Sequence, residues 1–197
     1  FSPAGDLLAR YAKIQPFTLG GERKVHAAGE RIVRFDWQGL SVAPFVCYDL
    51  RFPELFREAT RQGAEMFVVI ANWTARRTHH WVTLLLARAI ENQAYVVGVN
   101  RVGEAPGLAY AGESVVIDPL GETVVAAGSG EEVLLAEVDA AGVFGTGARE
   151  RITMLCAAPT VLITIANAPP ELRAQAPRGV RVVTAGAPPA AATIERV

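Results

Sequence analysis

The stretch FVCYDLRFPELF, residues 45–56, passes from an apolar run into a helix start with one cysteine between them. Upstream, ERIVRFDWQGLSVAPFVCYDL reads as two strands joined at Gln38-Gly39, the second running to Cys47. Downstream, RFPELFREATRQG reads as a helix, with Pro53 at its first position, Glu54 in its first turn and Gly63 closing it. AEMFVVIANW is a continuous apolar run, the pattern of a strand buried on both faces. RTHHWVTLLLARAIENQA is helical in period, with Trp81, Leu85 and Ala89 on one stripe, and YVVGVN is a further buried strand. SVVIDPLGETVVAA reads as a hairpin turning at Asp118-Pro119-Leu120-Gly121, and EEVLLAEVD as one more strand. Alternating strands and helices, mixed with hairpins, predict an α/β domain with helices packed on a buried sheet.

The 197 residues suit one domain, or one domain with an appendage. A net charge of -1 gives no reason to expect nucleic acid or an anionic membrane as partner. No apolar run is long enough to cross a bilayer, and FSPAGDLLAR lacks the pattern of a signal peptide. Two cysteines, Cys47 and Cys156, make no disulfide framework, which fits a reducing cytoplasm. No Cys/His cluster has metal-site spacing, so no metal is expected. The chain opens without Met, mid-pattern, so a missing N-terminal part is expected. Composition changes near Asp139, where DAAGVFGTGARE begins a Gly-, Ala- and Pro-rich segment, and a boundary is expected at residues 139–150.

Cys47 alone reads as a buried thiol at a strand end, since free cysteine is among the most buried residue types. Its context favours chemistry. A strand–turn–helix junction sets a side chain at the end of a sheet, where α/β proteins place their sites. The helix beyond it favours a thiolate. The backbone N–H of Tyr48 is placed to hold an oxyanion. A cysteine nucleophile usually needs a base, and there are three histidines: His26, His79 and His80. A pair with His79 or His80 is one reading; a capping or solvated role at a helix start is the ordinary one. Lys13 in YAKIQPF reads by itself as a snorkelling surface lysine, and Glu22 in LGGERK as a loop carboxylate. Asn72 and Trp73 end a strand; pocket lining and core packing are even readings for Trp73. Arg51, Arg88, Glu91 and Asn92 read as structural, holding the surroundings by hydrogen bonds and ion pairs.

Taken together, these segments resemble the nitrilase, or carbon–nitrogen hydrolase, superfamily. CYDLRFPELFR resembles its nucleophile motif and YAKIQPF its lysine motif. ANWTARRTHHWVTLLLARAIENQAYVVGVNRVG is similar to the following segment of the omega-amidase group, and GESVVIDPLGE to the late hairpin. The resemblance spans residues 1–138 in order. It implies the α-β-β-α sandwich of that family, here incomplete, and an enzyme hydrolysing a small linear amide through a Cys thioester, without a cofactor and with release of ammonia. It implies Cys47 as nucleophile, Lys13 as stabiliser of the tetrahedral intermediate, Glu22 as supporting carboxylate and a homodimer. The family's general base is another glutamate on an earlier strand. The twelve residues before Lys13 contain Asp6 and no glutamate, so that base is expected to be absent and activity weak or lost.

Beyond residue 138 the chain departs from this pattern. Its tail, with AAPTVL and TAGAPP, resembles an internal fragment of the AMP-forming acyl-CoA synthetases. That family's phosphate loop and later catalytic motifs are not in the tail, so no adenylation is expected. A short α/β appendage of residues 139–197, joined by a linker to a partial hydrolase domain of residues 1–138, is the expected organisation. It leaves a truncated or fused non-catalytic protein as the alternative reading, and an acyl-adenylate-binding fragment as a remote one.

Overall fold

The structure, a computed structural model, describes residues 1–138 and two three-residue strands beyond them, Met154–Cys156 and Arg181–Val183. The chain divides into two compact units, Phe1–Val138 and Asp139–Val197. In the second unit the two strands pair in parallel. The tail segments AAPTVL and TAGAPP lie outside the described residues.

Eight strands and two α-helices build the first unit: β1 Phe35–Trp37, β2 Leu40–Val46, α1 Pro53–Arg61, β3 Met66–Ala71, α2 Thr78–Asn92, β4 Tyr95–Asn100, β5 Val102–Ala105, β6 Leu108–Ala111, β7 Val115–Ile117 and β8 Thr123–Ala126. Six strands form one sheet in the order β1-β2-β3-β4-β7-β8. Its centre, β2, β3 and β4, is parallel, and the hairpins at either side are antiparallel. The β1–β2 turn places Gln38 and Gly39 both at positive φ, 51° and 86°, the mirror-image turn that matches strand twist. β5 and β6 form a separate hairpin at Pro106-Gly107.

Period-two alternation sends Ala43, Phe45, Phe67, Val69, Val96, Val115 and Ile117 into one core with Phe56, Trp81, Leu85 and Ala89 of the helices. The α2 stripe of Trp81, Leu85 and Ala89 is buried as its period requires, and it continues into the polar Arg88 and Asn92. Asn92 and the two Nη groups of Arg88 are hydrogen-bonded, while the buried Arg88 Nε has no partner among the described residues. Arg88 Nη2 donates to the Leu50 carbonyl at 2.7 Å, and Asn92 Oδ1 accepts from the Thr60 hydroxyl at 3.2 Å. Helix and sheet thus make two of the four expected layers among the described residues.

Two expectations need correction. β3 and β4 are not buried evenly on both faces: Ile70 and Val99 are about half exposed, at 53% and 48%, on the face away from the helices. Residues 131–138 are not a strand. Their alternation survives, with Leu134, Ala136 and Val138 lining a groove with Val42, Met66 and Val97 of the sheet while Val133 and Leu135 stay exposed. The segment crosses a sheet face instead of pairing with an edge, and alternation without a ladder partner makes no strand.

Gly98 sits where β4 passes under α2. A Cβ there would lie 2.4 Å from Leu85 Cδ1 and 3.0 Å from Trp81. Gly98→Ala is therefore expected to destabilise the unit by about 1–3 kcal/mol through overpacking. The urea midpoint checks this, and an unchanged midpoint would mean that α2 moves away freely.

Candidate active site

The three parallel strands end together. Val46 pairs in register with Ile70, and Ala71 with Asn100, so the residues just after β2, β3 and β4 meet at one end of the sheet. β2 stops at Val46, one residue before the expected end, and Cys47 opens a 3-10 turn, Cys47–Arg51. Cys47 has φ 48°, left-handed backbone that a non-glycine residue adopts only under constraint. The sharp turn swings its side chain out of the sheet while the chain goes on into α1.

The constraint is visible. Arg88 holds the carbonyl of Leu50 at the far end of the turn. Asp49 lies inside it, fully buried, and its Oδ2 accepts the Val46 N–H at 3.0 Å. The same carboxylate reaches the segment carrying Lys13. Oδ2 accepts the Tyr11 hydroxyl at 2.8 Å and Oδ1 the Gln15 N–H at 2.7 Å. Burial pushes the Asp49 carboxyl up, and these three donors pull it back. Burial, with the Asp49 charge beside it, also pushes the Tyr11 hydroxyl up. Gly29 steadies the Lys13 segment from its other side. Its N–H donates to the Lys13 carbonyl at 2.7 Å, and a Cβ there would lie 2.1 Å from the Ala12 oxygen, so only glycine allows the approach.

Lys13 and Glu22 come together although the sequence between them is irregular. Lys13 Nζ donates to Glu22 Oε2 at 2.6 Å, and the Phe17 N–H donates to the same oxygen at 2.9 Å. Burial works against the Glu22 charge, but these two donors and the lysine charge hold its carboxyl below the ordinary value. Both act on Cys47. Burial pushes the thiol up; the Lys13 charge and the Asn72 backbone amide favour the thiolate, while the Glu22 and Asp49 charges oppose it. The net shift is upward, so Cys47 rests as a thiol.

Of the other residues singled out from sequence, Tyr48 follows Cys47 within the turn, its ring 4.9 Å from Phe17 and 5.4 Å from Phe52. Asn72 is exposed at the β3 end. Trp73 is buried against Trp81, with the Arg51 guanidinium 4.9 Å from its ring. Asn100 fixes the Trp73 backbone by accepting its N–H at 2.7 Å and donating to its carbonyl at 3.1 Å. His80 Nδ1 lies 3.1 Å from Arg51, and desolvation together with His79, Arg51 and Arg77 lowers its pKa. Neither His79 nor His80 is among the leading influences on Cys47. No group of three His, Cys, Asp or Glu side chains among the described residues could hold a metal ion. Sequence reasoning missed Asp49 and Tyr11. Asp49 stands two places after Cys47 in the sequence, but its partner Tyr11 lies 38 residues away in the chain.

Residues 1–146 match the carbon–nitrogen hydrolase family. The omega-amidase YafV of Yersinia enterocolitica is 46% identical over 134 residues, 68% of this chain and 51% of its own length. The solved XC1258 of Xanthomonas campestris, a CN-hydrolase superfamily protein with an arsenic adduct in its active site, is 40% identical. It superposes with a TM-score of 0.65, covering 71% of this chain and 56% of its own. A variant of an amidase from Nesterenkonia sp. AN1 carries the acetamide moiety of fluoroacetamide covalently added at its active-site cysteine. It is 33% identical with a TM-score of 0.60, over 64% of this chain and 48% of its own. The chain thus spans about half the length of such relatives. On the strength of the match over residues 1–146, the chain belongs to the carbon–nitrogen hydrolase family.

Proposed function

We propose that this chain carries the nucleophile side of an omega-amidase-type hydrolase, acting on a small terminal carboxamide such as that of a 2-oxo dicarboxylic acid. The convergence of Lys13, Glu22 and Cys47 at the end of the parallel strands carries this reading. The Cys47 sulfur attacks the amide carbonyl carbon, and its proton passes to the departing nitrogen. The C–N bond breaks, ammonia leaves and a thioester remains. Water then attacks the thioester, releasing the carboxylic acid and restoring the thiol. Lys13 and the Tyr48 N–H stabilise the oxyanion in both steps. Covalent addition at the cysteine of the Nesterenkonia amidase supports the thiol as nucleophile.

Because Cys47 rests as a thiol, the reaction depends on a base. The nearby carboxylates are engaged, Glu22 by Lys13 and Asp49 by three donors. The glutamate base that the family resemblance implies has no counterpart before Lys13 in these residues. Turnover by the 197-residue chain is accordingly expected to be weak, and this same observation favours the second reading, a domain that binds without turning over. Its cellular setting is taken as cytoplasmic and its assembly as a homodimer.

The test is to incubate the chain with such a monoamide and measure ammonia, with intact mass reporting acylation of Cys47. Slow ammonia release with a trapped thioester is expected, both lost in Cys47→Ala. Ammonia release that survives Cys47→Ala would overturn the thioester route, and neither signal would leave the non-catalytic reading.

A further inference from the structure

We propose that Asp49 is a positioning residue whose single carboxylate fastens the Lys13 segment to the Cys47 turn and so sets the lysine charge against the sulfur. The proposal rests on the reading of Cys47 as nucleophile and Lys13 as its electrostatic partner. It deepens that reading by adding a residue that touches neither substrate nor sulfur.

The geometry points to this role in three ways. Asp49 binds the Lys13 segment on both sides, at Tyr11, two residues before the lysine, and at Gln15, two residues after it. Its third bond goes to the N–H of Val46, the residue immediately before Cys47. One fully buried group therefore spans the segment and the turn, and no stretch of regular secondary structure does so in its place. The three bonds are 2.7–3.0 Å, ordinary hydrogen-bond lengths, with the carboxylate as acceptor in each. Gly29 supports the segment from its own side but makes no link to the turn.

A nearby negative charge and a positioning device make opposite predictions. The leading charged and titratable groups acting on Cys47 are Lys13, Glu22 and Asp49; those acting on Asp49 are Tyr11 and Lys13. If Asp49 were only a charge, Asp49→Asn would remove repulsion, favour the thiolate and speed alkylation. If it positions Lys13, the amide presents an NH₂ where an acceptor is needed. The segment then loosens, the lysine charge withdraws and alkylation slows.

The experiment measures alkylation of Cys47 by iodoacetamide in the full chain across pH, resolved from Cys156 by peptide mass spectrometry. Below the midpoint, Asp49→Asn is expected to slow the reaction by about three- to tenfold and to move the midpoint upward. In a Lys13→Met background, the same substitution should not slow it, because the two residues then have nothing left to couple. Unfolding cannot mimic this, since it would expose the thiol and speed its reaction. Tyr11→Phe removes one of the three bonds without changing charge or shape, and is expected to slow alkylation about twofold. It decides the matter if Asp49→Asn fails to fold by circular dichroism. An unchanged or faster rate in the folded Asp49→Asn chain would overturn the proposal, as would equal slowing with and without Lys13, or an unchanged rate in Tyr11→Phe. Ammonia release measured in parallel judges the amidase reading separately, because the alkylation pattern does not require turnover.

Discussion

Lys13→Met is expected to lower ammonia release from a small carboxamide by about a hundredfold, the usual cost of removing one preorganised oxyanion partner. The same substitution should raise the pH at which Cys47 alkylates. The sign follows from the charges around the sulfur. Burial already holds the thiol above its ordinary value, and the lysine is the leading influence in the other direction. Without it, the Glu22 carboxylate also loses its ion-pair partner and stands closer to a bare negative charge beside the sulfur. Both changes disfavour the thiolate, so a higher pH is needed for the same rate. Adding Glu22→Gln to Lys13→Met removes the second change and should lower the midpoint part of the way back. Little loss of stability is expected, since Glu22 is about one-third exposed and can be solvated when its partner goes. The measurements are ammonia release at saturating amide and a pH profile of Cys47 alkylation. An unaltered profile would mean that the lysine is a bystander to the thiol.

Trp81→Ala should have the largest effect on stability, about 3–5 kcal/mol, as for other buried large-to-small changes. Trp81 is completely buried and joins three parts of the unit. Its ring lies 5.8 Å from that of Trp73 after β3, it sits over Gly98 of β4, and its Nε1 donates to the Glu113 carbonyl at 2.8 Å. Truncation therefore leaves a cavity and also a carbonyl without its donor. Trp81→Phe separates the two terms. It keeps most of the volume but loses the donor, and is expected to cost less than half as much. Urea unfolding followed by far-ultraviolet circular dichroism measures both. Equal midpoints for Trp81→Ala and the unaltered chain would mean that α2 does not pack on the sheet through this residue.

Local order was legible along most of residues 35–126. Pro53 and Glu54 open α1, Gln38-Gly39 turns the first hairpin and Asp118–Gly121 the last, with the Gly121 N–H donating to the Asp118 carbonyl at 3.0 Å. These signals lie within a few residues of what they specify, so one sequence suffices to read them. Residues 131–138 show the limit. Alternation states which side chains prefer an apolar surface, and both a sheet edge and a sheet face provide one. The short β5–β6 hairpin is similar, because Pro106-Gly107 marks a turn without stating that the flanking residues pair.

The candidate site divides in the same way. Cys47, its strand–turn–helix setting and its resemblance to a nucleophile motif were all present in twelve consecutive residues, and Lys13 and Glu22 could be named from short motifs of their own. That Lys13 meets Glu22, that both act on Cys47 and that Asp49 bridges the lysine segment to the turn were decided only when the chain folded. An aspartate in a tight turn has several local donors to choose from. Which of them it takes, and that two of its three come from a segment more than thirty residues earlier, depends on burial bringing that segment close enough to exclude water. Sequence identifies which side chains can do chemistry; the distances and charges that set the state of the Cys47 thiol belong to the tertiary structure, because Coulomb and hydrogen-bond energies depend on separation in space and on burial, not on position along the chain.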